Sequence, residues 1–406
     1  MKYLVLIGDG MADHPLEELG GKTPLESAST PAMDELARRG VIGLYCPIPE
    51  GLPPGSDIGN LSLFGYNPRE VFTGRAPIEA ASQGIHLGPR DVAFRCNLVT
   101  LADGVMVDFT AGHISSEEAA ELIGALNDAL GARFGVRFNA GVSYRHLAIF
   151  PGGTRDTETL ARVACEPPHN ITGQAYTPYL PAGPGGDVLQ EIMAASRDVL
   201  ADHPVNRNRV ASGKLPATSV WLWGQGLAPR MAPFRETHGL SGAVISAVDL
   251  VRGIGVCAGM EIIRVPGATG WLDTNYEGKV AAALDALGRH DVAYIHVEAP
   301  DETAHQGRVD LKIQAITDFD ARVVAPCLDY ASRQGDTRLL VAPDHFTLIS
   351  TKTHAGGPVP FGIAGPGIPN SEAAGYSEGI AASSGILIPE GYTLVRRFFR
   401  EATIRF

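Results

Sequence analysis

Three short apolar segments, far apart in the sequence, each lead into side chains of the kinds that bind metal ions. The three are residues 1–8 before Asp9, residues 292–298 before Asp301 and His305, and residues 338–342 before Asp344 and His345. Short, almost continuous apolar runs are typical of buried parallel strands. In open α/β sheets, ligands gather at the carboxyl ends of such strands. The pattern therefore predicts a sheet that brings distant parts of the chain to one cleft.

The spacing of these residues, together with His354 farther along, favours two divalent cations in that cleft. If Asp301 and His305 open a helix, their side chains lie on one face and can chelate a single ion. Asp344 and His345 follow a strand, where a turn can aim both side chains into one cavity. Each pair alone is more typical of a surface ion pair or a helix cap. Their joint occurrence is what indicates a metal site.

A site with two metal ions directs attention to a hydroxyl nucleophile. Paired ions about 3.5–4 Å apart clamp the attacking and leaving oxygens of a phosphoryl transfer and can ionise a hydroxyl group. Ser56 is the best candidate, because Gly55 and Gly59 beside it allow the backbone to approach an anion closely. Taken alone, the segment 51–60 is more typical of a Pro-Gly-Ser turn.

Longer motifs are distributed nearly from end to end of the chain. They are Gly8-Asp-Gly-Met-Ala-Asp13, Gly21-Lys-Thr-Pro-Leu25, Thr30-Pro-Ala-Met-Asp34, Pro54-Gly-Ser-Asp57, Thr73-Gly-Arg75, His203-Pro-Val-Asn206, Val265-Pro-Gly-Ala-Thr-Gly270, Glu298-Ala-Pro-Asp301 and His354-Ala-Gly-Gly-Pro-Val-Pro-Phe361. With these motifs the chain resembles the cofactor-independent phosphoglycerate mutases of the archaeal type, which belong to the alkaline phosphatase superfamily of metalloenzymes. The resemblance implies an enzyme of the isomerase class.

The resemblance also implies roles for particular residues. One ion would be held by Asp301, His305 and His354. The other would be held by Asp9, Ser56, Asp344 and His345, with Ser56 as both ligand and nucleophile. The serine would take phosphate from the substrate and return it to another hydroxyl of the same molecule, without added bisphosphoglycerate. Three carboxylates and three imidazoles suit manganese or zinc best, with cobalt or magnesium as alternatives.

The expected substrate is a small phosphorylated hydroxy acid, 3-phosphoglycerate or 2-phosphoglycerate. Its negative charges call for cationic partners, since arginine binds carboxylate and phosphate groups in a bidentate manner. The candidates are Arg75, His113, Arg145, Arg207, Arg209 and Lys279. Each of them is equally compatible with a surface position facing water.

Two alternatives to the mutase stay open. The segments Gly112-His-Ile-Ser115, Cys165-Glu-Pro-Pro-His-Asn170 and Trp221-Leu-Trp-Gly-Gln-Gly226 resemble a bacterial branch of the family proposed to act as homoserine kinases. A nucleotide-binding P-loop is not found, because Gly21-Lys22-Thr23 has Leu16 where the first glycine belongs. The third reading is a phosphatase that releases free phosphate.

Composition narrows the class of protein further. The chain has 406 residues, 45% of them hydrophobic, and a formal net charge of -12, which argues against nucleic acid or an anionic membrane as a partner. Five cysteines without a C-x-x-C pair are expected to be buried thiols in a reducing, cytoplasmic compartment. The first apolar run is too short for a signal peptide or a membrane span. The oligomeric state is not predicted.

The predicted fold class is α/β, with an alkaline-phosphatase-like, mostly parallel sheet flanked by helices and an inserted smaller α+β domain. Residues 1–90 and 235–406 are assigned to the metal-binding phosphotransferase domain, and residues 91–234 to the substrate-binding insert. In the outer parts the patterns predict helices over 31–39 and 278–287 and a strand over 359–364. In the insert they predict a hairpin of 92–100 with 104–109, a helix capped by Ser115 and Glu118, and a strand over 142–150.

Overall fold

The computed structural model describes residues 1–153 and 155–404. The strands are β1 Lys2–Gly8, β2 Gly40–Tyr45, β3 Val92–Ala102, β4 Val105–Asp108, β5 Arg137–Val142, β6 Arg145–Phe150, β7 Ser219–Leu227, β8 Gly242–Ile245, β9 Glu261–Ile263, β10 Val292–Val297, β11 Thr337–Ala342, β12 Phe346–Leu348, β13 Thr353–Ala355, β14 Val359–Ala364 and β15 Leu387–Ile388.

The helices are α1 Pro24–Ser27, α2 Pro31–Arg38, α3 Ser56–Leu63, α4 Pro68–Val71, α5 Arg75–Ser82, α6 Ser116–Phe134, α7 Thr157–Leu160, α8 Gly186–Ala201, α9 Pro204–Ala211, α10 Phe234–His238, α11 Asp249–Cys257, α12 Tyr276–Ala286, α13 Ala299–His305, α14 Val309–Phe319, α15 Ala325–Gln334, α16 Glu378–Ser383 and α17 Tyr392–Arg400. Short 3-10 turns lie at Glu17–Leu19, Pro168–Ile171 and Thr177–Tyr179, and one π-helical turn, Asp320–Val324, joins α14 to α15. Among the described residues, no helix is both long enough and apolar enough to cross a bilayer.

The chain forms two compact units. Unit 1 comprises Met1–Phe72 and Arg230–Phe406, and unit 2 comprises Thr73–Pro229. The sequence analysis ended the first segment of this domain at residue 90, and the structure ends it 18 residues earlier, at Phe72. The second segment was expected to begin at residue 235, and it begins five residues earlier, at Arg230. The difference has a local cause, because α5 contacts β3 and β7 of unit 2.

Unit 1 is built on a mostly parallel sheet, as predicted. In the described part of the chain its eight strands follow the order β15-β2-β14-β11-β1-β10-β8-β9. Strand β1 lies between β10 and β11 and is parallel to both. Strand β14 runs antiparallel to its two neighbours, β11 and β2. The first apolar segment of the sequence is therefore a central strand, and its two neighbours are the other two segments that lead into candidate ligands.

Both faces of this sheet are covered by helices, which is why its central strands are apolar throughout. On one face, Leu4 and Leu6 of β1 belong to a core cluster that includes side chains of α2, α12 and α14. On the other face, the ring of Tyr3 lies 5.1 Å from that of Phe399 in α17. The predicted helices over 31–39 and 278–287 are confirmed as α2 and α12. Helix α12 begins two residues earlier than predicted, after a cap by the Asn275 side chain.

Unit 2 is an α+β structure with an antiparallel five-stranded sheet among its described residues. Strand β3 is its centre and pairs with β4, β6 and β7. The predicted hairpin of β3 and β4 is confirmed, and Asp103 and Gly104 form its turn with positive φ angles of 49° and 79°. Helix α6 begins with the predicted capping box between Ser115 and Glu118.

The strand predicted over 142–150 is confirmed over Arg145–Phe150 as β6, but its first three residues are not part of that strand. Val142 is the last residue of β5, and Arg145 is the first residue of β6, which pairs antiparallel with it. Between them Ser143 has a φ of 54°, a left-handed conformation that reverses the chain. The sequence did not show this turn, because Ser143 and Tyr144 are not the Asn-Gly or Asp-Gly pair that usually marks a two-residue hairpin.

Candidate metal centre

The three predicted strand ends are neighbours in unit 1. Ile7 of β1 pairs with His296 of β10 and with Ala342 of β11, so all three strands end at the same edge of the sheet. Asp9 follows β1 directly, and its amide donates to the carbonyl of Val297. Helix α13, which carries Asp301, starts just after β10, and the turn after β11 carries Asp344 and His345. The parallel register is therefore what gathers residues separated by more than 300 positions in the sequence.

One group of candidate ligands contains Asp301, His305 and His354, whose ligand atoms all lie within 4.8 Å of one another. Asp301 Oδ2 is 3.2 Å from His305 Nε2, and Asp301 Oδ1 is 3.4 Å from His354 Nε2. The two Nε2 atoms are 3.0 Å apart. Nδ1 of His305 lies 2.9 Å from the carbonyl oxygen of Lys352, which can only accept a hydrogen bond. His305 therefore carries a hydrogen on Nδ1, and Nε2 is the nitrogen that is available to a metal ion.

The second group surrounds His345. Its Nε2 lies 3.3 Å from Asp9 Oδ1, 3.1 Å from Ser56 Oγ and 3.5 Å from Asp344 Oδ2. Its Nδ1 lies 3.1 Å from the carbonyl oxygen of Phe346, so Nε2 is again the available nitrogen. Asp9, Asp301 and His345 also form a group within 4.8 Å, which links this cluster to the first one. All seven side chains predicted as metal ligands thus lie in one contiguous cluster.

Helix α3 sets the position of Ser56. The serine is the first residue of α3 and is half-buried, and Asn60 one turn later donates to Asp344 Oδ2 at 2.7 Å. A Cβ atom on Gly59 would lie 2.2 Å from the carbonyl oxygen of Asp344. Glycine is therefore required at this position for α3 to approach the turn after β11. The sequence analysis expected the backbone beside Ser56 to approach an anion, whereas the atom that Gly59 approaches is the carbonyl oxygen of Asp344.

The cluster brings several carboxylates together in a buried place, where bound cations would stabilise their charges. Burial, followed by the charges of Asp344 and Asp301, raises the pKa of Asp9 well above its usual value. Burial also disfavours the charged form of Asp301, but the imidazoles of His305 and His354 beside it hold the pKa of Asp301 well below its usual value. Asp9 Oδ1 is buried without a hydrogen-bond partner. Three buried carboxylates and the Nε2 atoms of three imidazoles beside them fit divalent ions.

A buried ion pair joins the loops that carry the ligands. Lys312 of α14 has no exposed surface, and its Nζ lies 2.8 Å from Asp13 Oδ2. The same Nζ donates to the carbonyl oxygen of Ala12 at 3.3 Å and to that of Thr347 at 2.7 Å. Thr347 Oγ1 in turn donates to Asp301 Oδ1 at 2.5 Å. The loop after Asp9 and the loop after His345 are therefore held by one ammonium group.

The sequence analysis missed three residues of the cluster. His296 lies in β10 with its Nε2 3.1 Å from Asp9 Oδ2, and it forms a third close group with Asp9 and Asp344. Asn60 and Thr347 bind the carboxylates described above. For His296 there was a signal, since a histidine within an otherwise apolar strand must find a polar partner. No pattern distinguishes Asn60 or Thr347 before the fold is known.

Among the predicted substrate residues, Arg75 and Arg145 lie in unit 2 near a buried glutamate. Arg75 Nε is 2.9 Å from Glu79 Oε1, and Arg95 Nε is 3.0 Å from Glu79 Oε2. Burial disfavours the charged form of Glu79, but the positive charges of Arg95 and Arg75 hold its pKa below the usual value. Arg145 is near enough to add to this effect. Arg95 also stacks on the ring of Trp223 at 4.2 Å. Sequence reasoning missed Arg95, because it lies inside β3.

The other predicted substrate residues are not part of this arginine cluster. Arg209 is buried and binds Glu118 and the carbonyl oxygen of Ala111, so it holds the loop before α6. Arg207 is exposed and donates to the carbonyl oxygen of Asp202. His113 is exposed in a turn with a φ of 49°.

Lys279 lies in unit 1 rather than in unit 2. It is fully buried and donates to the carbonyl oxygen of His296 at 3.0 Å. Burial lowers its pKa to about 8. Lys279 thus supports the strand end beside Asp9.

Residues 37–206 match the model of a protein family that is described as 2,3-bisphosphoglycerate-independent phosphoglycerate mutase. A relative from Geobacter sulfurreducens named probable 2,3-bisphosphoglycerate-independent phosphoglycerate mutase is 54% identical over 400 residues, covering 97% of this chain and 98% of the relative. A relative from Methanosarcina acetivorans, named as the same mutase, is 54% identical over 364 residues, covering 89% and 90% of the two chains.

A solved structure of a protein from Pyrococcus horikoshii has a similar fold. It superposes with a TM-score of 0.81 at 28% sequence identity, covering 100% of this chain and 98% of that chain. The α/β architecture described above is therefore shared over the whole length of both chains.

Proposed function

This chain belongs to the family of 2,3-bisphosphoglycerate-independent phosphoglycerate mutases, and from that premise we propose that the cluster around Asp9 and Ser56 is its phosphoryl-transfer centre. The chain is an isomerase that interconverts 3-phosphoglycerate and 2-phosphoglycerate, a reaction of glycolysis and gluconeogenesis. Relatives with this name at 54% identity favour the mutase over the homoserine kinase.

The observation that carries the proposal is the position of Ser56. Its Oγ lies 3.1 Å from His345 Nε2, within a cluster of buried carboxylates and imidazoles. A hydroxyl group is a weak nucleophile at neutral pH unless its environment stabilises the alkoxide. Two bound divalent ions would supply that stabilisation and would also neutralise charge on the transferred phosphoryl group.

We propose that Asp301, His305 and His354 hold one ion and that Asp9, Asp344, His345 and Ser56 hold the other. The mixed carboxylate and imidazole donors favour manganese or zinc, with cobalt or magnesium as alternatives. His305 and His345 support this assignment, because carbonyl groups fix both Nδ1 atoms and leave Nε2 as the ligand atom.

In the proposed cycle Ser56 carries the phosphoryl group between two hydroxyls of one molecule. An Oγ–P bond forms as the bond from phosphorus to the C3 oxygen of 3-phosphoglycerate breaks. The phosphoryl group then passes from Oγ to the C2 oxygen, which loses its hydrogen, while the C3 oxygen gains one. Atoms and charge balance without release of phosphate, so no added bisphosphoglycerate is required.

We propose that unit 2 binds the anionic groups of the substrate through Arg75, Arg95 and Arg145. These three arginines outnumber the single carboxylate of Glu79, so the cluster has an excess of positive charge. Glu79 fixes the guanidinium groups of Arg75 and Arg95, and the Trp223 ring also packs on that of Arg95. Planar guanidinium groups held in this way suit bidentate binding of carboxylate or phosphate. Arg209 is left out, because its donors already serve the fold of unit 2.

The test is turnover of 3-phosphoglycerate in an assay coupled to enolase, without bisphosphoglycerate, with manganese, zinc, cobalt or magnesium added in turn. Turnover with at least one ion is expected for the wild type. Ser56→Ala should abolish it, whereas Ser62→Ala, on the same helix with its hydroxyl bound to the carbonyl oxygen of Pro47, should retain it. Mass spectrometry of trapped wild-type protein should find a phosphate on Ser56.

Three results would contradict parts of this proposal. Activity retained in Ser56→Ala would mean that another residue, or none, carries the phosphoryl group. Free phosphate released faster than isomer would identify a phosphatase. Release of ADP that depends on homoserine and ATP, without isomerisation, would identify the kinase.

We also propose a cytoplasmic location for the enzyme. The five cysteines are unpaired, and burial raises the pKa values of Cys96, Cys165, Cys257 and Cys327, which is compatible with a reducing compartment.

A further inference from the structure

Thr347 is a buried residue that contacts both groups of candidate ligands. It has no exposed surface and lies in β12, two residues after His345. Its Oγ1 donates to Asp301 Oδ1 at 2.5 Å, and the same oxygen lies 3.2 Å from His345 Nδ1. In the hairpin of β12 and β13, Thr347 is paired in register with His354. One hydroxyl group therefore lies where the two groups of ligands meet.

The hydroxyl hydrogen of Thr347 has one acceptor. His345 Nδ1 lies 3.1 Å from the carbonyl oxygen of Phe346, which only accepts, so this nitrogen carries a hydrogen itself and cannot accept one from Thr347. An ionised carboxylate, in contrast, only accepts hydrogen bonds. The hydrogen of Thr347 is therefore directed to Asp301 Oδ1.

This hydrogen bond restricts how the carboxylate of Asp301 can turn. Oδ1, which accepts from Thr347, also lies 3.4 Å from His354 Nε2, and Oδ2 lies 3.2 Å from His305 Nε2. Rotation of the carboxylate would break the hydrogen bond, so each oxygen stays beside its own imidazole.

We propose that Thr347 is a positioning residue, whose hydroxyl group holds the carboxylate of Asp301 in the orientation that binds the ion shared with His305 and His354. This inference rests on the proposed two-metal centre, to which it adds a residue that keeps a ligand in place. Hydrogen-bond partners that orient a ligand in this way typically change metal affinity by about 10–100-fold when they are removed.

The backbone around Thr347 supports this role. The amide of Thr347 donates to the carbonyl oxygen of Ala12 at 3.3 Å, and its carbonyl oxygen accepts from the Nζ of buried Lys312 at 2.7 Å. A Cβ atom on Gly10 would lie 2.3 Å from Thr347 Oγ1 and 2.7 Å from Asp301 Oδ1. The backbone at Gly10 is therefore packed directly against the hydrogen bond, and only glycine fits there.

The experiment compares Thr347→Val, which keeps the shape of the side chain without its hydroxyl group, with Thr347→Ser, which keeps the hydroxyl group. Affinities are measured by calorimetric titration of metal-free protein with Mn²⁺ and with Co²⁺. We expect Thr347→Val to bind one of the two ions about 10–100-fold more weakly and Thr347→Ser to lose much less affinity. The weakened ion should be the one that is lost in His305→Ala, which removes a proposed ligand of that ion.

Thr303→Val is the matched control. Thr303 is fully buried in α13, between Asp301 and His305, and its hydroxyl group donates to the carbonyl oxygen of Ala299 at 2.8 Å. The variant loses a buried hydroxyl group in the same way, but it should leave both affinities unchanged, because that hydrogen bond reaches no candidate ligand. Urea denaturation of the metal-free variants separates a loss of stability from a loss of affinity. In the coupled assay Thr347→Val should lower kcat more than it changes KM, because the orientation of Asp301 acts on the chemical step.

The possible results separate this inference from the proposed function. Unchanged affinities in Thr347→Val, with two ions bound in the wild type, would overturn the inference and leave the proposed function intact. An equal loss of affinity in Thr347→Ser or in Thr303→Val would also overturn it, because the hydroxyl group of Thr347 would not be the cause. A wild-type protein that binds no divalent ion would refute the proposed centre itself, and the inference with it.

Discussion

Replacing Lys312 by methionine is expected to destabilise unit 1 and to weaken metal binding together. The side chains of Lys312 and Asp13 are both fully buried, 2.8 Å apart. Methionine fills a similar volume but removes the ammonium group, so the carboxylate of Asp13 and the carbonyl oxygens of Ala12 and Thr347 lose a donor. Those two carbonyls belong to the loops that follow Asp9 and precede His354.

The magnitude follows from burial. Removing one partner of a buried ion pair costs about 3–5 kcal/mol, because the remaining charge has no compensation. With a urea m-value of about 3 kcal/mol per molar, that free energy corresponds to a fall of roughly 1–2 M in the unfolding midpoint. Lys312→Met combined with Asp13→Asn should cost less than Lys312→Met alone, since the double variant leaves no buried charge unpaired.

Urea denaturation of metal-free protein, followed by circular dichroism, measures this effect without the contribution of bound ions. Hydrogen exchange of peptides that contain Ile349, whose amide donates to Asp13 Oδ2, reports on the loop itself. Arg333→Met is the control, because its ion pair with Asp329 is exposed and should contribute less than about 1 kcal/mol. A midpoint for Lys312→Met equal to that of the control would refute the reasoning, as would a double variant less stable than Lys312→Met alone.

Three further outcomes are expected. Removal of divalent ions with EDTA should lower the free energy of unfolding, by about 4 kcal/mol for each ion that was present at 1,000 times its Kd, as urea titrations can measure. Burial lowers the pKa of His146 to about 4. The free energy of unfolding should therefore fall by up to about 3 kcal/mol as the pH drops from 6.5 towards 4, and His146→Gln should flatten this part of the plot of stability against pH. Gly59→Ala, whose Cβ would lie 2.2 Å from the Asp344 carbonyl oxygen, should reduce mutase activity about 100-fold or more, whereas Gly124→Ala, with no atom within 4 Å, should leave it unchanged.

Several candidate ligands could be found from the sequence because they follow an apolar run, whereas His354 and the role of Ser56 as a ligand depended on the resemblance to a family. An apolar run that ends in Asp9, or in Asp344 and His345, predicts its own strand and the position of its own carboxyl end. The order of the strands could not be found in this way. Pairing of β1 with β10 and β11 depends on contacts between residues hundreds of positions apart, and the patterns of these strands are alike.

The residues that were missed share another property. His296 and Arg95 lie inside strands, where the apolar residues around them indicate core and do not show which polar partner each side chain has. The partner of His296 is Asp9, and the partner of Arg95 is Glu79 together with the ring of Trp223. Such side-chain partners depend on how the strands and helices pack, so they cannot be predicted before the fold is known.

The central position of β1 has a consequence for synthesis of the protein. Strand β1 leaves the ribosome early, but the two strands that flank it, β10 and β11, begin only at Val292 and Thr337. At about 5–20 residues per second, His354 is made roughly 20–70 s after Asp9. Unit 2 ends at Pro229 and can fold during this interval, while β1 waits with both of its edges unpaired. Nascent chains are therefore most vulnerable at this strand, and the complete set of proposed ligands exists only after His354 has been made.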